Sequence, residues 1–184
     1  MKIYRYRTNA NQFACVEFRG NYPENGKPFL NCERIGDVWT PLELRVDLSQ
    51  GPLADFPALE AVIPVFSPKA RDALRGLIEK SVEFLPVWVA QQSYFAVNVL
   101  SLVDALDKPK CTFRRYSNGL IADVTNYAFK PEVLRGTHIF KLPETKFGEV
   151  LVSDQFVEAV TGANLIGLRP LLVWSEDLNR ETPK

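Results

Sequence analysis

The hydrophobic period of this 184-residue chain changes abruptly at Ser67-Pro68. Ile63-Pro64-Val65-Phe66 is a short continuous apolar run. Beyond it Ala70, Leu74, Leu77 and Ile78 recur at i, i+4, i+7 and i+8, which places them on one face of a helix. Arg71, Asp72, Arg75 and Lys80 take the other side. A serine side chain accepts one of the orphan N–H groups at a helix start, and proline loses no bond at the first helical position. The spacing therefore predicts a helix over about 68–80. A second, over about 154–161, is expected behind a Ser153 cap, with Phe156, Val157 and Val160 on its apolar side and a stop at Gly162.

Most other segments read as strands: KIYRYR, FACVEF, VWTPLELRVDL, VEFLPVWV, CTFRRY, GLIADVTNYAF, THIFKL and NLIGLRPLLVW. Pro86 cannot donate to a ladder, so the fourth of these belongs at an edge or a bulge. Ser117-Asn118-Gly119 reads as a hairpin turn. Pro23, Asn25-Gly26 and Pro28 punctuate a turn-rich stretch, GPLADFP reads as a loop, and the polar tail SEDLNRETPK is expected to fray. Strands with two inserted helices and no regular βαβ alternation predict an α+β fold, mostly antiparallel sheet. A chain of this length is expected to form a single domain over 1–184.

The stretch YFAVNVLSLVDALDKPKC is ambiguous by period, because Phe95, Val99, Leu102, Val103 and Leu106 would also form a helical stripe. The β-branched Val97 and Val99, with apolar residues of both parities, favour a strand buried on both faces. It ends in Asp104 and Asp107, followed by Lys-Pro-Lys. Two carboxylates underfill a Ca²⁺ or Mg²⁺ shell of about six oxygens. Aspartate side chains fold back on nearby backbone N–H groups, so both acids are read as turn residues.

Lys+Arg and Asp+Glu each number 22, and nothing in that balance draws the chain to nucleic acid or an anionic membrane. MKIYRYR carries no apolar signal region, and no apolar stretch reaches the roughly 18 residues of a membrane span. Cys15, Cys32 and Cys111 are odd in number and lack CxxC spacing, which suits reduced thiols in a cytoplasmic protein. Cys15 and Cys111 are expected to pack, and Cys32 to lie nearest solvent. G-x-S-x-G, GxGxxG, P-loop, HExxH and EF-hand spacings do not occur. His138 shares strand parity with Phe140 and Leu142, which suits a hydrogen-bonded structural histidine; a catalytic role would need a cysteine or carboxylate brought close by folding. Arg114 and Arg115 point to opposite faces of their strand. Trp39, Trp88 and Trp174 are core residues by default, although tryptophan is also a common interface anchor.

The ordered series PVFSPKARDALRGLIEKSVEFLPV, YFAVNVLSLVDALDKPKC, THIFKLPET, VLVSDQF and TGANLIGL resembles a family of immunity proteins from bacterial polymorphic toxin systems. It is the eleventh immunity family of that classification, formerly a domain of unknown function. The resemblance covers about residues 61–175. It leaves 1–60 without a matching motif and 176–184 as a polar tail. It implies a small cytoplasmic protein that binds a cognate toxin domain and blocks it without catalysis or a cofactor. Nucleic acid and membrane are not among its expected partners, and its oligomeric state stays open. Two alternatives stand beside it: a small enzyme using His138 with a thiol or carboxylate, and an adaptor module of a secretion system. The contact candidates are Lys108, Lys110 and Arg114 at the Lys-Pro-Lys corner, with Trp39 and Phe56 in the amino-terminal part.

Overall fold

Two helices and a set of short strands form where local sequence and long-range pairing agree. A computed structural model describes residues 1–19, 27–59, 63–145 and 149–177. Pro23, Asn25-Gly26 and the tail from Leu178 onward lie outside the described residues. Helix α1 spans Pro68–Ile78, its Ser67 side chain accepting from the Ala70 N–H, and Ala70, Leu74 and Ile78 are buried as their spacing predicts. Helix α2 spans Asp154–Gly162, with Ser153 accepting from the Phe156 N–H.

Six strands close into a barrel in the order β2-β3-β6-β7-β5-β4. They are β2 (Cys15–Phe18), β3 (Leu42–Asp47), β4 (Ala58–Leu59), β5 (Ile63–Phe66), β6 (Val82–Val89) and β7 (Gln92–Val99). Pairings are antiparallel except β2 with β4 and β3 with β6, so closure depends on two parallel contacts. Alternate side chains, among them Val16, Leu44, Val65, Leu85 and Ala96, fill the interior. Pro86 lies just before the segment in which β6 takes up β3, where its missing N–H spoils no parallel bond.

A second sheet of four antiparallel strands has the order β10-β11-β1-β12: β10 (Ile139–Phe140), β11 (Leu151–Ser153), β1 (Lys2–Arg5) and β12 (Leu171–Ser175). One face packs on α1, α2 and the outer side of the barrel through Phe66, Leu74, Val97, Val152 and Phe156. The other is covered by Ala105, Leu106, Val124, Phe129 and Leu134, against Ile3, Phe140 and Trp174. The hairpin β8 (Thr112–Arg115) with β9 (Ile121–Asn126) completes the architecture, turning at Gly119 with φ 84°. These elements make an α+β fold, with mostly antiparallel sheets and two α-helices among the described residues.

The expected strand running into Asp104 is shorter than its apolar run. β7 ends at Val99; the Leu100 N–H still donates to the Ser81 carbonyl, in register with the β6·β7 ladder, and the chain leaves the pairing beyond it. Leu102 and Leu106 then make isolated bridges to Lys141 and Phe129. Asn98 lies opposite Glu83 in the β6·β7 ladder and is fully buried. Its Nδ2 donates to the Glu33 carbonyl at 2.7 Å and to Glu83 Oε2 at 2.9 Å. Glu83 also accepts from the Ile35 and Gly36 N–H groups, and Lys141 Nζ donates to the Phe29 carbonyl at 2.7 Å. These polar groups hold the Phe29–Gly36 segment against the barrel, although Asn98 Oδ1 is buried without a hydrogen-bond partner.

Candidate interaction surface

The residues expected to meet a partner fall into two groups. Lys108, Lys110 and Arg114 are exposed, but each has an acidic neighbour. Lys108 Nζ lies 2.7 Å from Glu144 Oε1 and 3.3 Å from Asp104 Oδ1. Lys110 pairs with Asp107 at 2.6 Å, and Arg114 lies 3.8 Å from Asp123. The bond to Glu144 first, and then the one to Asp104, pushes the Lys108 ammonium above its usual range. Lys108 thus compensates Glu144, whose side chain is nearly buried.

Phe56 corrects an expectation. The GPLADFP loop was expected to present it outward, yet it is 1% exposed. Its ring meets Phe66 edge-on at 5.0 Å and Tyr6 at 6.3 Å, so the loop is drawn inward by an aromatic cluster. Gly167, with φ 98°, allows this approach: a Cβ there would stand 2.5 Å from Ala54 Cβ. Trp39 is partly buried, edge-on to Phe29 at 5.6 Å, with Nε1 donating to the Pro86 carbonyl at 2.9 Å. Trp174 is buried in the core, whereas Trp88 stands about half exposed on the outer side of β6.

The Asp104 and Asp107 side chains meet lysines rather than folding back on the backbone as their type suggests. Asp107 makes no side-chain cap to the following turn, and both carboxylates meet lysine ammonium groups. The backbone of Asp107 makes the turn, its carbonyl accepting from the Lys110 N–H and its N–H donating to Ala128. Among the described residues no three His, Cys, Asp or Glu side chains gather as a metal site.

His138 Nδ1 lies 3.0 Å from Ser153 Oγ, and Ser153 is itself buried as the cap of α2. Burial holds the imidazole below its usual range, with Asp154 opposing weakly. The pair lies at the junction of β11 and α2, with the Ser153 hydroxyl buried. Cys15 and Cys111 are only partly buried, and burial is the main reason both thiols are pushed up.

A cleft of about 500 Å³ opens between β1 and the barrel, lined by Arg5, Tyr6, Arg7, Cys15, Glu17 and Glu149 among others. Two of its four charged lining residues, Arg5 and Glu149, pair with each other. Arg5 contacts Glu149, lies 3.2 Å from Asp123 and donates to Tyr127 at 3.0 Å, while Tyr127 donates to Glu149. Burial raises the Glu149 carboxyl above its ordinary range against the pull of Tyr127 and Arg5. Burial opposes the Arg5 charge, but the Tyr127 bond and the acids outweigh it. The phenol of Tyr127 is pushed up by burial first and by Glu149 second. This cluster ties β1 to the β8–β9 hairpin.

Three of the exposed apolar groups lie close together elsewhere. Ile166 is 50% exposed, Leu171 53% and Leu172 43%, all within seven residues at and before β12. β12 is the last strand of its sheet, paired only with β1 among the described residues. Beside it a cavity of about 340 Å³ is lined by Val157, Val160, Leu165, Ile166, Leu168 and Pro170 with Thr161 and Asn164. A smaller exposed pair, Tyr116 and Leu120, flanks the hairpin turn.

The sequence matches the Immunity protein family (Imm11) over residues 10–173. The chain belongs to this family. A comparison with curated proteins finds no significant match. The immunity-family match reaches back to residue 10, so it takes in most of the amino-terminal part that the motif series left out. It therefore includes β2, β3 and the Phe29–Gly36 segment as well as both helices. Within the immunity-protein fold, the motifs around Ser67, Asn98 and Ser153 sit at caps and buried polar contacts. Ile166, Leu171 and Leu172 were not singled out by sequence, because NLIGLRPLLVW has the composition of a buried strand.

Proposed function

We propose that this immunity-family protein binds a cognate bacterial toxin domain of a polymorphic toxin system and neutralises it by occupancy, without catalysis, in the cytoplasm. The observation that carries the reading is the family match over residues 10–173. Two features support it. The best candidate for a catalytic base, His138, is bonded through Nδ1 to the hydroxyl that caps α2. Three exposed apolar side chains, Ile166, Leu171 and Leu172, lie together at and before an edge strand, as contact anchors do. Tight inhibition needs an interface of about 1,200–2,000 Å² with a few buried anchors.

The test is co-expression with the toxin domain encoded beside this gene, scored by growth and by recovery of a complex. Cells should survive only when this protein is present, and the two chains should co-purify. A neighbour that kills equally with and without it contradicts the reading.

A further inference from the structure

We propose that the toxin docks by adding an extended, apolar strand to the outer edge of β12, with one side chain seated in the cavity at the end of α2. The proposal rests on the toxin-binding reading above and names the surface and the partner chemistry. An edge strand presents a row of backbone N–H and C=O groups that an incoming strand can satisfy. Proteins usually guard such an edge with lysines, internal proline or bulges. β12 has one guard, the register shift against β1 at Val173, and its first two residues are exposed leucines. Adjacent residues of a strand face opposite sides, so Leu171 and Leu172 offer apolar contact on both faces of any strand laid beside them. Ile166 and Leu168 continue this surface into the cavity. An uncharged extended segment with an aliphatic or aromatic side chain is the matching occupant.

Two other occupants fit less well. A two-fold pairing of β12 with itself runs antiparallel and sets each copy's amino-terminal end against the other's carboxy-terminal end. In the register that overlaps all five residues of β12, Leu171 would face Ser175, and the cavity side would face Glu176 and Asp177. The chain's own tail beyond Asp177 reads LNRETPK, with a single apolar residue to offer.

The experiment is titration of the toxin domain with wild type, with the Leu171→Lys/Leu172→Lys double variant, and with Tyr116→Lys/Leu120→Lys at the hairpin tip. Thermal denaturation first confirms that each variant folds. The β12 variant should bind at least 100-fold more weakly and fail to protect cells, while the hairpin variant should match wild type. If the β12 variant binds like wild type and still protects, the edge is not the site, although the immunity reading stands. If wild type neither binds nor protects, both proposals fall. A wild-type dimer that the β12 substitutions dissociate would show that a second copy fills the edge, and would overturn the proposal. Should the β12 variant not fold, amide exchange of wild-type β12 with and without toxin decides: faster or unchanged exchange in the complex overturns it.

Discussion

β11 and β12 flank the same central strand, and they behave as opposites. Each pairs antiparallel with β1, and each is built from leucine, valine and a closing serine, with Trp174 added in β12. β11 is buried at all three positions because β10 continues the sheet and packed layers cover both faces. β12 buries Trp174 and Ser175 and leaves Leu171 and Leu172 in solvent. Composition does not separate them; position in the sheet does. Apolar surface at β11 serves stability, and apolar surface at β12 is left over for association.

The comparison is broken most easily at the charges that brace β1 and the entry to β11. Arg5→Met leaves Glu149 buried without its cation, and removing one partner of a buried pair costs about 3–5 kcal/mol. The loss should be larger at neutral pH than in acid, because a protonated Glu149 no longer needs Arg5; denaturant melts at both pH values check this. Leu151→Ala should lower stability by about 2–5 kcal/mol, the range for deleting a fully buried leucine side chain. Leu171→Ala with Leu172→Ala should change it by no more than about 0.5 kcal/mol per residue, as exposed positions do. If the two strands respond equally to leucine truncation, the division of labour fails.

A smaller effect sharpens the β11 side. Burial depresses the His138 imidazole, so the unfolded chain takes a proton that the folded chain resists. Stability should therefore fall as pH drops through about 6.5, the ordinary histidine range. His138→Gln should flatten that part of the stability–pH curve, and an unchanged slope would assign it to other groups.

Both helices were legible because their signals are local: a serine cap, a proline or acid in the first turn, and apolar spacing over two turns. The β6–β7 hairpin was less so. Its two-residue loop is Ala90-Gln91, with φ 47° and 64°, and neither residue is a customary choice for those conformations. Pairing of eight successive residues on each side holds the loop there despite its local preference. Barrel closure was illegible for a related reason. The parallel pairs β2·β4 and β3·β6 join segments some forty residues apart, with no periodicity linking them. Phe56 and Leu171 show the same limit in side chains. Phe56 sits in a loop sequence yet fills a core, and Leu171 sits in a core-like sequence yet meets solvent. Each outcome depends on what the fold lays beside the residue. Lys108 was rightly placed at a turn, but only the fold reveals Glu144 beside it.

Residue-resolved amide hydrogen exchange, with and without the cognate toxin domain, tests the central claim most directly. The account predicts that binding slows exchange along Leu171–Ser175 while the β11 amides, already protected in the sheet, barely change. Protection confined to the β8–β9 hairpin or the Lys108–Lys110 corner, with β12 unaltered, would contradict it.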